Sequence, residues 1–142
     1  MFVPGTVYRR RDLHETYGGQ QQGGISTPAN HLFIMLFTSD RGQDYGYRDG
    51  WNEDGVYIYT GEGQHGDMSF VRGNAAILHH MDSGKDLHLF EYEKTASGHI
   101  RSGYVRYIGS MKCVGYQEHT GIDGDAKARR IISFKLIQCA TE

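Results

Sequence analysis

The sequence predicts an α+β domain: a curled, mixed β-sheet closing toward a barrel, with two or so short helices. Three observations predict it. Apolar and aromatic residues gather in six or so runs of strand length, at 31–38, 56–60, 86–92, 104–108, 111–116 and 131–138. Helical spacing is confined to two stretches, 9–17 and about 68–80. The 142 residues, 38% of them hydrophobic, show no linker, internal repeat or shift of composition, which suits one domain spanning 1–142 on a single core.

Taking the elements in order, Thr6 is placed to cap a helix over 9–17, Leu13 and Tyr17 share a face of it, and Gly18-Gly19 end it. Residues 20–28 have no periodicity and read as a loop. The unbroken apolar run from His31 to Thr38 predicts a strand buried on both faces. A polar turn over 40–44 then leads into an aromatic, glycine-rich stretch. From 68 to about 80, Phe70, Ile77 and Met81 fall on one helical stripe; Gly73-Asn74 lowers helix propensity near its start, which predicts that packing requires them. After a turn at 82–85, Leu87 and Leu89 alternate with His88, Phe90 and Tyr92. A hairpin across Gly109 is expected to join 104–108 to 111–116. In the last strand, 131–138, Ile132, Phe134 and Leu136 oppose Ser133 and Lys135.

Residues 45–68 are the chemically distinctive part of the chain. Five aromatics, two Asp-Gly steps and a Thr60-Gly61-Glu62-Gly63 turn lie within about two dozen residues. The run Val56-Tyr57-Ile58-Tyr59-Thr60 has strand composition, so a loop feeds a strand that ends in a glycine turn. Tyr47 and Tyr59 can then stack on the faces of a flat ring while Asp49 accepts and Thr60 donates along its edge. Cytosine, with an amino donor at N4 and acceptors at N3 and O2, fits such a set. The same composition more often describes a plain antiparallel hairpin with its rings on a core.

The ordered motifs resemble the SRA domain (SET and RING-associated, also called YDG). They read Gly46-Tyr47-Arg48-Asp49, then Val56 to Gly63, then Arg72-Gly73-Asn74-Ala75-Ala76-Ile77. Tyr17 to Ser26 and Gly84 to Glu91 are similar to flanking segments of the SRA-like modules of bacterial HNH endonucleases that cut modified DNA. The likeness runs from roughly Tyr8 to Gln138. It implies a PUA/SRA-like fold and a domain that flips 5-methylcytosine or 5-hydroxymethylcytosine out of duplex DNA into an aromatic pocket. Matched by position, Tyr47 and Tyr59 are the stacking pair and Thr60 bonds the base edge. The family's edge-reading aspartate falls where this chain has Gly50, so Asp49 is the nearest carboxylate and Asp54 the alternative. Gln20, Gln22, Ser26, Arg48, Gln64 and Arg72 are the candidate DNA contacts. A long finger that fills the vacated base position has no counterpart after Gly63.

A net charge of -2 means that any contact with nucleic acid rests on local basic patches, among them Arg9-Arg10-Arg11, Arg101 with Arg106 and Lys112, and Lys127-Arg129-Arg130. Cys113 and Cys139 stand outside any paired motif, which suits a reducing cytoplasm, and no apolar run has membrane-spanning length. The eight histidines complete no zinc-deaminase, metalloprotease or His-Asn-His pattern. The glycines of 61–66 lack the parallel βαβ context of a dinucleotide loop. The chain is therefore expected to be a non-catalytic recognition module with no cofactor or metal, cytoplasmic, with duplex DNA carrying a modified cytosine as partner. A homodimer and a fused nuclease domain in a longer parent protein remain open. The alternatives are a PUA-like module for modified RNA or single strands, and a small hydrolase or transferase using Asp49, Glu62 or a histidine as base.

Overall fold

The computed structural model describes residues 2–38, 49–63 and 65–140. The chain runs through β1 (Val7–Arg9), α1 (Arg10–Tyr17), β2 (Ile25–Ser26), β3 (Phe33–Thr38), β4 (Gly50–Trp51) and β5 (Tyr57–Thr60). It continues through α2 (Arg72–Leu78), β6 (Asp86–Lys94), β7 (Ile100–Ile122) and β8 (Ala128–Gln138). The strands form one eight-stranded sheet in the order β2-β3-β6-β7-β8-β5-β4, with β1 added against β7. Among the described residues only β3 and β6 pair in parallel, so the sheet is mixed. Among the described residues its path ends at β2 and β4, which do not pair with each other, so the described sheet is open and not a closed barrel.

The sheet has apolar residues on both faces, and β3 shows why. All six residues of Phe33–Thr38 are buried. Ile34 and Leu36 pack with Leu87, Leu89, Ile132 and Phe134, while Phe33, Met35 and Phe37 pack with Leu13, Phe90, Val105 and Tyr107. A strand covered on both sides needs an unbroken apolar run, and each such side chain removed from water contributes about 1.5–3 kcal/mol.

Three elements depart from the sequence-based expectation. Thr6 does not cap α1: the helix starts at Arg10, and Arg9 in the cap position makes no side-chain cap bond. Residues Val7–Arg9 are instead drawn into a strand paired with Arg106, Val105 and Tyr104. The second helix begins at Arg72, later than 68, because the Met68 N–H donates to the Arg130 carbonyl at 3.0 Å and holds that segment against β8. Gly109 makes no hairpin. It lies inside the 23-residue β7, which pairs with β6 through one half and with β8 through the other. A Cβ at Gly109 would stand 2.5 Å from Nε2 of Gln138, the far end of an exposed, flexible side chain that can move aside. Among the described residues no helix is long and apolar enough to cross a membrane.

Candidate binding site

The glycine turn and the Gly-Asn pair of the second helix turn out to be two halves of one latch. The Asn74 Oδ1 accepts the Glu62 N–H at 2.8 Å, and Asn74 Nδ2 donates to the carbonyls of Glu62 at 3.1 Å and Ser69 at 3.0 Å. The Glu62 carboxylate in turn accepts the Gly73 N–H at 2.9 Å. A Cβ on Gly61 would stand 2.7 Å from Asn74 Oδ1, and one on Gly73 would stand 2.7 Å from Glu62 Oε1. Glycine is required at both positions by close approach. The latch fixes the end of β5 and thereby the strand that carries Tyr57, Tyr59 and Thr60.

On the other side of that strand, Asp49 precedes β4 and reaches back so that the Thr60 N–H donates to its Oδ1 at 2.8 Å. Asp49 lines a cavity of about 150 Å³ together with Tyr57, Thr38, Glu91, Tyr92, Lys94 and Ile100. The parallel pairing of β3 with β6 sets Thr38 beside Glu91. The Tyr57 hydroxyl lies 3.1 Å from Thr38 Oγ1 and donates to Glu91 Oε1 at 3.3 Å. Burial pushes the Asp49 carboxyl up to about 6, against the opposing pull of the Thr60 N–H and, more weakly, of its hydroxyl. That hydroxyl nonetheless closes no hydrogen bond of its own, although it is buried. A space of this size holds one six-membered ring, since a cavity of about 150 Å³ admits benzene. Its lining includes the Tyr57 ring and the carboxyl-bearing residues Asp49 and Glu91, while the Tyr92 ring packs with the cluster of Leu13, Phe37 and Phe90 and its hydroxyl accepts a bond from Arg10 at 2.6 Å.

The expected site residues separate into several places. Asp49 lines the cavity, whereas Asp54 is exposed in the β4–β5 turn, where its N–H bonds to Asn52 Oδ1 at 2.9 Å. Thr60 stands beside Asp49 with its hydroxyl unpartnered. Tyr59 is not on the cavity wall. It is 2% exposed in the core with Ile25, Met68 and Ile77, and its hydroxyl donates to the carbonyls of Gly24 at 2.8 Å and Phe37 at 3.1 Å. The ring that β5 turns to the cavity is Tyr57. Gln20 is tied to Thr27 by three hydrogen bonds, Gln22 is exposed, and Ser26 is buried with an unpartnered hydroxyl. Arg72 is exposed at the start of α2 with φ 48. Tyr47, Arg48 and Gln64 lie outside the described residues.

Tyr57, Glu91, Tyr92 and Lys94 were not singled out from the sequence. Period-two alternation puts Tyr57 on the same face of β5 as Tyr59, which was a signal for it. The other three reach the cavity through pairing of distant strands, for which the sequence has no local signal. Among the described residues no group of three or more potential ligands is placed to hold a metal ion. His80 is engaged by Lys85 O and the Cys113 N–H, and His88 by the Tyr107 hydroxyl.

Residues 4–142 match the family described as ScoMcrA-like, SRA domain. The chain belongs to this SRA domain family. Its fold is that of the SRA domain in the sulfur binding domain and SRA domain of ScoMcrA complexed with phosphorothioated DNA. That match has 24% identity and a TM-score of 0.76, and covers 99% of this chain and 41% of the other. The Type IV phosphorothioation-dependent restriction endonuclease ScoMcrA matches at 24% identity and a TM-score of 0.75, over 99% of this chain and 29% of the enzyme. The SUVH5 SRA in complex with hemi-methylated CG DNA matches at 20% identity and a TM-score of 0.62, over 99% and 97% of the two chains. This SRA domain thus spans less than half of the ScoMcrA chains it resembles. No curated protein matches the chain.

Proposed function

We propose that this SRA domain binds duplex DNA carrying a modified cytosine and receives that base, flipped out of the helix, in the cavity beside Asp49. The observation that carries the reading is a ring-sized space lined by Tyr57 together with Asp49 and Glu91. A cytosine places an N4 amino donor against a carboxylate, and its N3 and O2 acceptors against hydroxyl, ammonium or N–H donors. Thymine carries an O4 acceptor where cytosine carries N4, so a carboxylate there rejects it. Tyr47, from the segment outside the described residues, is the remaining candidate for a stacking face. Thr60 completes the edge, and Tyr59 supports the strand from the core side. Nucleic-acid complexes of ScoMcrA and SUVH5 support the reading at the level of modified DNA. In this reading the domain performs no catalysis and acts as the specificity module of a longer, modification-dependent HNH endonuclease.

The test is fluorescence anisotropy of matched short duplexes bearing cytosine, 5-methylcytosine, 5-hydroxymethylcytosine or a phosphorothioate linkage at one site, titrated at fixed salt. A single buried methyl is worth about 1–3 kcal/mol of discrimination, so a preference of roughly ten- to a hundredfold for one modified cytosine is expected. Equal affinity for the cytosine duplexes overturns the flipped-base reading, and a preference confined to the phosphorothioate reassigns recognition to the backbone.

A further inference from the structure

Most arginines among the described residues are already engaged. Arg106 forms a bidentate pair with Glu93 at 2.8 and 2.9 Å. Arg130 faces Asp67 and Glu118 at 3.7 and 3.8 Å, and Arg129 donates to the carbonyls of Ile122, Gly63 and Gly66. Arg10 is buried and bonded to His14, Tyr92 and Gly23. Arg9 and Arg101 differ. Both are exposed, neither meets a carboxylate within 4.0 Å among the described residues, and both converge on the same tyrosine. The Arg9 Nη2 donates to the Tyr104 hydroxyl at 2.9 Å, and its guanidinium carbon lies 5.4 Å from the ring centroid. The Arg101 guanidinium carbon lies 3.8 Å from that centroid.

The backbone explains the convergence. Between the Tyr92↔Val105 and Lys94↔Ile100 pairs, the single residue Glu93 of β6 faces Arg101, Ser102, Gly103 and Tyr104 of β7. The surplus residues drop out of register with β6, Tyr104 pairs with Arg9 of β1 instead, and Gly103 adopts φ 83. Bulges of this kind re-aim side chains beside functional sites. The cluster also flanks the cavity: Ile100, which precedes Arg101, lines it, and so does Tyr92, whose hydroxyl accepts a bond from Arg10, the neighbour of Arg9. Two guanidiniums held around one ring repel each other, and an anion between them relieves that repulsion. A phosphodiester matches the charge, the donor geometry and the position.

We propose that Arg9, Tyr104 and Arg101 form a phosphate clamp that grips the backbone of the duplex beside the cavity. The inference rests on the reading of the domain as a binder of modified duplex DNA. Contacts to phosphate fix position and carry no base information, so the clamp sets affinity and salt dependence while the cavity sets preference.

The experiment measures affinity of the chain and of the Arg9→Gln/Arg101→Gln double variant for 5-methylcytosine and unmodified duplexes across a salt series. Each neutralised phosphate contributes about 0.9 to the slope of log K against log salt, so the double variant should lose roughly 1–2 from that slope. Both duplexes should weaken by the same factor, leaving the preference intact. A modification preference in the parent with an unchanged slope in the variant overturns the clamp alone. Reduced slope without any preference in the parent sustains the clamp and overturns the cavity reading. No duplex binding by the parent overturns both. Displacement of the duplex by polyglutamate as readily as by unlabelled DNA assigns the cluster to acidic protein surfaces and overturns the clamp. Should the double variant melt below the parent, Arg101→Gln alone, which leaves the Arg9–Tyr104 hydrogen bond in place, gives the same readout at half the slope change.

Discussion

Two aspartates in this chain show opposite uses of a sheltered carboxylate. Asp123 sits in the turn between β7 and β8, 5% exposed, and accepts three backbone N–H bonds: Asp125 at 2.8 Å, Lys127 at 2.9 Å and Gly66 at 3.1 Å. Those donors, the Lys127 and Gly66 N–H groups foremost, hold its carboxyl below the usual range. Among the described residues Asp49 has one N–H donor, from Thr60, and burial pushes its carboxyl up to about 6. The difference lies in how many donors the fold supplies. A carboxylate satisfied by backbone groups is structural, whereas one left with a free oxygen in a cavity is available to a ligand.

The comparison breaks most visibly in binding. In Asp49→Asn, the Thr60 N–H keeps the amide oxygen, so the NH2 group takes the place of the second carboxylate oxygen and opposes the amino donor of cytosine. Hydrogen bonds to charged groups are worth about 1.5–3 kcal/mol, so affinity for the modified duplex should fall roughly ten- to a hundredfold. Anisotropy against the parent checks it; unchanged affinity would remove Asp49 from the site.

The same substitution should raise stability. Because the folded-state value of about 6 lies above the ordinary 3.8, the folded protein binds more protons than the unfolded chain between those pH values. Stability contributed by Asp49 is therefore full below that window and lost as pH rises through it. At pH 8 Asp49→Asn should be more stable than the parent by on the order of 2 kcal/mol, and near pH 4 the two should coincide. Urea unfolding at both pH values measures the difference. A gain at pH 8 with weakened binding is the trade-off expected of a site that sacrifices stability for function.

How much of this was legible follows from the range of the interactions. The β3 strand could be read from its apolar run because two-faced burial writes itself into consecutive residues. The positions of Gly61, Glu62, Gly73 and Asn74 were visible as motifs, but their mutual bonding was not, since composition records residue types and not which ones meet. Gly109 read as a turn because a lone glycine between two strand-like runs has no local mark that distinguishes a hairpin from the interior of a long strand. At the site, Asp49 and Thr60 were legible as neighbours of one strand. Glu91 and Tyr92 were not, because they arrive through the parallel β3–β6 pairing. Tyr59 has the same composition and spacing as a stacking residue; the carbonyls of Gly24 and Phe37, contributed by distant loop and strand, take its hydroxyl into the core instead.

Tyr57→Phe separates the cavity wall from its edge. The substitution keeps the ring and removes a hydroxyl already engaged by Thr38 and Glu91. A loss of about 1 kcal/mol in unfolding free energy is expected, with the preference among modified duplexes unchanged. A changed preference would show that this hydroxyl reads the base.

Asp123→Asn should have the smallest effect, for a reason visible in the bonding. Asp125 and Lys127 both donate to Oδ1, which the asparagine oxygen can replace, and only the Gly66 N–H, bonded to Oδ2, then meets an amide NH2. The parent carboxyl is held below its ordinary value, so its contribution exists above the unfolded-state value and is lost as pH falls through the folded one. The variant should melt slightly below the parent at pH 7 and converge with it only as pH falls below 3.8, a more acidic range than the one in which Asp49→Asn converges. The two aspartate variants thus deviate from the parent in opposite directions at neutral pH, Asp49→Asn upward and Asp123→Asn downward. A lowered melting point for both at pH 7 would mean that Asp49, too, is a structural carboxylate whose bonds the fold requires, and the distinction between the two regions would fail.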